Sequence, residues 1–253
     1  MTDQVQHQNE HGAFVITLDR PDHRNALTEA MVGELTRAIE QAALDSAARI
    51  VVLRGAGKDF CAGLDLDEFY RSADAADSEH RREADQLAGL LGALLRLPQP
   101  SLSLVQGKAM GIGATLAVAC DLVIASDSAV FAFPEVTYGF VPAFAAAIVP
   151  RLIGERAAFE LLVTGRLVRG EEARGLGLAS RLVPEEGFEA VTGSVVRGLC
   201  TCAVDTLAAV KGAFRAVEGK PLTEALNLSA AINARARASA AFKDAAHQFF
   251  SMA

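Results

Sequence analysis

Four consecutive apolar residues, Ile50-Val51-Val52-Leu53, constrain this chain most tightly. No polar residue alternates with them, so a strand here is buried on both faces and needs cover from two sides. The rest of the sequence can supply that cover. Of its 253 residues, 51% are hydrophobic and 22% charged, which excludes wholesale disorder. Only 8 Pro stand beside 21 Gly, and alanines are many, a composition suited to helices packed closely on strands.

Before that run, residues 5–18 read as two short strands around the turn Glu10-His11-Gly12. A polar loop, Arg20-Pro21-Asp22-His23-Arg24-Asn25, follows. Thr28 then caps a helix whose apolar positions Met31, Leu35 and Ile39 recur every four residues. The buried strand ends in Gly55-Ala56-Gly57-Lys58. Residues 70–85 are small and charged without a period, and read as a mobile loop. A helix is expected at 87–97, stopped by Pro98, and another at 114–120 after the glycine-rich stretch 107–113. Strands are expected at 101–105, 122–125 and 130–133. From Phe144 onward nearly everything reads as helix, including 155–164, 171–174, 187–199, 206–218 and 222–246. No solenoid repeat appears.

The charge balance, 24 Lys and Arg against 31 Asp and Glu, argues against a generic nucleic-acid partner. A small anionic ligand needs only a few local cations and stays open. Cys61, Cys120, Cys200 and Cys202 form no CxxC pair and are too sparse for a disulfide scaffold. The five histidines make neither HExxH nor HxH, so no metal site is expected. The polar start Met1-Thr2-Asp3-Gln4 reads as no signal peptide, and the apolar run at 141–149 is too short for a membrane span. A cytoplasmic protein without a membrane partner is the expectation.

Two glycine motifs suggest nucleotides and fail. Gly111-Ile112-Gly113-Ala114-Thr115-Leu116 puts Leu116 where a dinucleotide fingerprint needs Gly or Ala. Around Gly55-Ala56-Gly57-Lys58-Asp59, Asp59 sits where a phosphate loop needs Ser or Thr for Mg²⁺. What remains is a pair of similar turns, Phe60-Cys61-Ala62-Gly63-Leu64-Asp65 and Met110-Gly111-Ile112-Gly113, each leading from a strand to a helix. Helix starts leave backbone N–H groups unpaired, so two converging turns would make a two-donor pocket for an oxyanion.

Several blocks together carry a resemblance. They are Leu18-Asp19-Arg20-Pro21 with Asn25-Ala26-Leu27, Phe60-Cys61-Ala62-Gly63-Leu64-Asp65-Leu66, and Gly111-Ile112-Gly113 with Cys120-Asp121-Leu122 and Phe133-Pro134-Glu135. Thr164-Gly165 and Gly175-Leu176-Gly177-Leu178 continue the series. In this order and spacing they resemble the crotonase superfamily, the enoyl-CoA hydratase/isomerase enzymes. The resemblance implies a mixed α/β fold: a spiral of β-β-α units over residues 1–198, with a C-terminal helical oligomerisation region at 199–253. It implies a homotrimer or homohexamer acting on an acyl-CoA thioester. Coenzyme A is then part of the substrate, and no separate cofactor is needed.

By position the resemblance makes the backbone N–H groups of Leu64 and Ile112 the oxyanion donors and Glu135 the acid/base. Arg24, Ala62, Gly63, Asp65, Leu66, Gly111 and Gly113 become substrate-binding positions; Arg20 and Arg24 are candidates for the CoA phosphates or else ordinary solvated loop arginines. Asp65, Asp67 and Glu68 also suit a helix start. Hydratases of the family usually carry two glutamates, and the first falls here on Thr115. A third acidic position used by some relatives is Ala143. One carboxylate suits double-bond isomerisation, while some branched-chain hydratases share the Val141-Pro142-Ala143 pattern. Isomerisation and hydration both stay open, in fatty-acid or branched-chain metabolism. A catalytically idle acyl-CoA-binding or scaffold member of the same fold is the alternative.

Overall fold

The computed structural model describes residues 4–251; residues 1–3 of the polar start lie outside them. Val5–Glu10 (β1) and Ala13–Leu18 (β2) form the expected antiparallel hairpin. His11 and Gly12 both take positive φ, as a two-residue hairpin loop requires. In α1 (Glu29–Leu44) the Thr28 hydroxyl accepts from the Met31 N–H at 3.2 Å, and Met31, Leu35 and Ile39 are all buried. Each such side chain contributes roughly 1.5–3 kcal/mol by leaving water.

Ile50–Gly55 (β3) is the strand that the apolar run predicts. Its Val51 and Leu53 pack into a core shared with α1, and its Ile50 and Val52 into a second core on the opposite face. Phe188 of α8 (Phe188–Cys200) closes that second core. Both faces are therefore covered, as expected.

The large sheet adds β4 (Ser101–Val105), β6 (Leu122–Ser126) and β9 (Arg181–Val183) to these strands, in the order β1-β2-β3-β4-β6-β9. Every pairing beyond the hairpin is parallel. A second, small sheet holds β5 (Lys108–Met110), β7 (Val130–Ala132) and β8 (Val168–Arg169). The chain steps from β4 to β5, returns through α4 (Ile112–Ala119) to β6, then steps to β7. It comes back through α5 (Ala143–Ile153), α6 (Glu155–Thr164), β8 and α7 (Gly170–Leu176) to β9. Isolated parallel bridges, Leu27 to Leu64 and Cys61 to Ala109, extend the small layer towards the N-terminus. This is the expected spiral of β-β-α turns.

Residues 70–85 are a correction. α2 (Leu66–Arg71) ends early in this stretch, and α3 (Asp77–Arg96) begins within it, leaving only 72–76 outside helix. The first half of α3 lies on the surface and its buried residues, Leu90, Leu91 and Leu94, come late, so no apolar period marks its start. An Arg81–Asp85 pair one turn apart and the Arg82–Glu29 pair hold that half instead. The strands β5, β8 and β9, at two or three residues each, also escape a periodicity reading. The helix expected at 222–246 is broken at extended Ser239 into α10 (Leu222–Ala238) and α11 (Ala240–Ser251), which follow α9 (Val204–Val217). Among the described residues no single helix is long and apolar enough to cross a membrane.

Candidate active site

The two glycine turns meet. A Cβ on Gly63 would lie 3.0 Å from the Met110 carbonyl oxygen, and one on Gly113 would lie 2.5 Å from the Cys61 carbonyl oxygen. Glycine at both positions lets one backbone approach the other. The first turn is held by hydrogen bonds on either side of Leu64: the Leu27 N–H donates to Gly63 O and the Asp65 N–H to Leu27 O, both at 2.8 Å. Neither bond uses the Leu64 N–H, and among the described residues that group has no partner. In the second turn Gly111 takes φ 53, its N–H donates to Ala132 O, and Ile112 opens α4 with its own N–H unpaired among the described residues.

Both donors line one cavity of about 350 Å³. Glu135 lies in its wall, on the one-turn 3-10 helix Pro134–Tyr138. The carboxylate stands over the second turn: Oε1 is 3.2 Å from where a Gly111 Cβ would be. Oε2 is buried and makes no hydrogen bond. Burial pushes this carboxyl above the usual carboxylate range, against a smaller lowering by its own backbone N–H. An unpartnered carboxylate beside free N–H donors can move protons next to a carbonyl whose oxygen those donors hold.

Thr115 is buried in the same wall, and its hydroxyl donates to Gly111 O at 3.0 Å. Ala143 opens α5 at the cavity edge and brings no acid. Glu135 is thus the sole carboxylate among the cavity-lining residues. Cys61 lies close by, but burial pushes its thiol up to about 12, and its Sγ–H donates to Asn25 O, so it supplies no thiolate.

Of the substrate-binding positions read from the sequence, Arg24, Ala62, Gly63, Leu66 and Gly111 line the cavity; Asp65 and Gly113 do not. The Asp65 carboxylate caps α2 by accepting from the Asp67 and Glu68 N–H groups, and it pairs with Arg20 at 2.6 Å. Burial alone would raise this carboxyl, but the Arg20 hydrogen bond and the cap bonds outweigh it and hold it below the usual range. That pair also ties down Arg20, leaving Arg24 as the exposed arginine of the first loop. Phe69, Lys108, Tyr138, Phe140 and Phe144 also line the cavity, and the sequence reading missed them. Two had a legible signal: Phe69 follows Leu66 at helical spacing, and Tyr138 ends the turn that carries Glu135.

The site sets two unpaired backbone N–H groups beside one buried carboxylate, an arrangement able to polarise a carbonyl and move a proton next to it. Comparison with known proteins goes further. The enoyl-CoA hydratase/isomerase family model matches residues 8–251. A Thermus thermophilus protein carrying an enoyl-CoA hydratase name is 35% identical over 236 residues, covering 93% of each chain. The hydroxycinnamoyl-CoA hydratase-lyase of Pseudomonas fluorescens is 34% identical over 208 residues, 80% of this chain and 74% of its own. An enoyl-CoA hydratase structure from Mycobacterium smegmatis superposes with a TM-score of 0.91 at 29% identity, covering 99% of this chain and 97% of that one. The chain belongs to the enoyl-CoA hydratase/isomerase family, with the crotonase fold.

Proposed function

We propose that this chain converts acyl-CoA thioesters through an enolate held by the Leu64 and Ile112 N–H groups, with Glu135 as the single acid/base. The observation that carries the reading is the buried, unpartnered Glu135 Oε2 in the same cavity as both free donors. Each donor to a developing oxyanion is worth about 2.7–4 kcal/mol in the transition state. With a 3-enoyl thioester, ionised Glu135 takes the α-proton, the C–H pair forms a double bond to the carbonyl carbon and the carbonyl π pair moves onto the oxygen. As the dienolate collapses, the oxygen pair re-forms the carbonyl, the α,β double bond forms, and the β,γ π pair takes the proton back from the carboxyl at the γ-carbon. With a 2-enoyl thioester, Glu135 takes a proton from water as the water oxygen bonds the β-carbon. The same carboxyl then delivers that proton to the α-carbon. Arg24 and Lys108, exposed at the cavity rim, supply positive charge for the CoA phosphates.

Glu135→Gln tests this. Turnover should fall by about two to four orders of magnitude, acyl-CoA affinity should stay within a few-fold, and α-proton exchange with deuterated solvent should fall in parallel. The base works ionised, so wild-type kcat/KM should decline as pH falls through the raised Glu135 pKa. Full activity in the variant would remove Glu135 from the role. Wild-type binding of acyl-CoA with neither turnover nor exchange would favour the idle scaffold.

We also infer a trimer or a dimer of trimers built through α9–α11. Lys211 is the one buried residue in these helices among the described residues, while Phe214, Phe249 and Phe250 are at least 67% exposed. Large exposed apolar faces of this kind mark interaction surfaces. Light scattering should give three or six times the chain mass, and a monodisperse monomer would overturn the assembly.

A further inference from the structure

The two donors sit on different turns, and one side chain grips a loop that is hydrogen-bonded towards both. Asn25 is fully buried and takes φ 55, a conformation that Asn tolerates better than most residues. Its Nδ2 donates to Asp59 O at 2.8 Å, Ala56 O at 2.9 Å and Phe60 O at 3.2 Å, and its Oδ1 accepts from the Arg20 N–H at 2.9 Å. A Cβ on Gly55 would lie 2.6 Å from that Nδ2 and 2.3 Å from Phe60 O. The glycine turn that fails as a phosphate loop therefore wraps around a carboxamide.

From this knot, bonds run to both donors. On one side the Ala62 N–H donates to Arg24 O at 2.9 Å, and Leu27 brackets Leu64 through Gly63 and Asp65. In a parallel ladder the residue between such bonds points its own N–H the other way, and Leu64 lines the cavity. On the other side the Phe60 N–H donates to Gln106 O, the Cys61 N–H to Lys108 O and the Met110 N–H to Cys61 O, while Asp59 Oδ1 accepts from the Lys108 N–H. These bonds fasten the gripped loop to β5, which runs straight into Gly111 and Ile112.

We propose that Asn25 is a positioning residue whose buried carboxamide sets the spacing of the Leu64 and Ile112 donors by clamping residues 56–60, the loop fastened to both turns. The inference rests on the donor assignment made above. Asn25 touches no substrate atom in this role; it acts through the two backbones.

Asn25→Gly tests it, because glycine accepts the positive φ and removes the side chain that carries the amide. The probe is butyryl-CoA, isotope-labelled at its thioester carbonyl. Bound to the wild type, its carbonyl stretch should shift to lower frequency, and its α-protons should exchange with deuterated solvent. In Asn25→Gly most of that shift should disappear and exchange should slow about a hundredfold, the usual scale for a misplacement near 1 Å, with butyryl-CoA affinity within about threefold. Asn25→Asp, which sets carboxylate oxygen against three carbonyls, should do the same or worse. If neither variant folds, Asp59→Ala cuts only the side-chain bond that fastens the gripped loop to the Lys108 N–H and should reduce the carbonyl shift. Leu35→Ala, buried in α1 away from the cavity, controls for lost stability and should lower Tm without moving the carbonyl band. A folded Asn25→Gly protein with wild-type shift and exchange would overturn the positioning role, as would a band change matched by Leu35→Ala. A wild type showing neither shift nor exchange would overturn the donor assignment itself, and this inference with it.

Discussion

The two glycine turns look alike in sequence and are finished differently. At the first, Asp65 caps α2 with its side chain, and that carboxylate is locked by Arg20. The donor there is Leu64, one residue ahead of the cap, freed by the ladder with Leu27. At the second, no side chain caps α4, and every residue of that helix is buried. Its donor, Ile112, is free because nothing satisfies the helix start. Glu135 leans over this uncapped turn. The first turn is thus tied by side-chain bonds and leaves the Leu64 N–H free, while the second leaves its whole helix start uncapped. Unsatisfied polar groups in a buried place are costly; under the proposed function the substrate carbonyl oxygen is what completes them.

This contrast predicts that losing the Ile112 N–H at the second turn acts on rate, whereas losing the Asp65 cap at the first acts on stability. Ile112→Pro should have the largest effect. Proline is tolerated at a first helical position and lacks the N–H, so kcat should fall about a hundred- to a thousandfold in a folded protein. Steady-state kinetics with circular dichroism as the folding check decides this; unchanged kcat would end the donor role of Ile112. Gly113→Ala comes next. Its Cβ would meet the Cys61 carbonyl oxygen at 2.5 Å and the Cys61 Sγ at 2.8 Å, where backbone yields poorly. The expected cost is about 1–3 kcal/mol in denaturant unfolding, with a fall in kcat because the two turns are pushed apart.

The smallest effect is expected from Asp65→Ala, about 1–2 kcal/mol of stability through the lost cap, with kcat within a few-fold. The pH dependence follows from the lowered Asp65 carboxyl. A lowered folded value means that this stabilisation is present above the ordinary aspartate pKa of ~3.9 and is lost as pH falls through the folded one. Unfolding curves of wild type and variant should therefore converge in acid. A collapse of kcat in Asp65→Ala with unchanged stability would reverse the contrast between the turns.

Much of this was legible residue by residue. The run Ile50-Val51-Val52-Leu53 announced a strand covered on both faces, Thr28 announced α1, and the spaced blocks announced the family and Glu135. These are local properties: a backbone preference, a cap three residues from its donor, an uninterrupted apolar run. The start of α3 was not legible, because its surface half carries charge and buries almost nothing. The strands β5, β8 and β9 are too short to hold a period. Glycine identity alone did not separate Gly111, beneath the carboxylate, from Gly113, against Cys61. Nor did an arginine in a loop reveal that Arg20 is paired and Arg24 exposed. Those distinctions depend on which backbone passes within about 3 Å of which, and that is decided when the spiral brings residues far apart in the chain into one layer. The sequence by itself determined which groups were available to the site; the tertiary structure alone decided which were left unpaired, because a partner across the fold has no local signature.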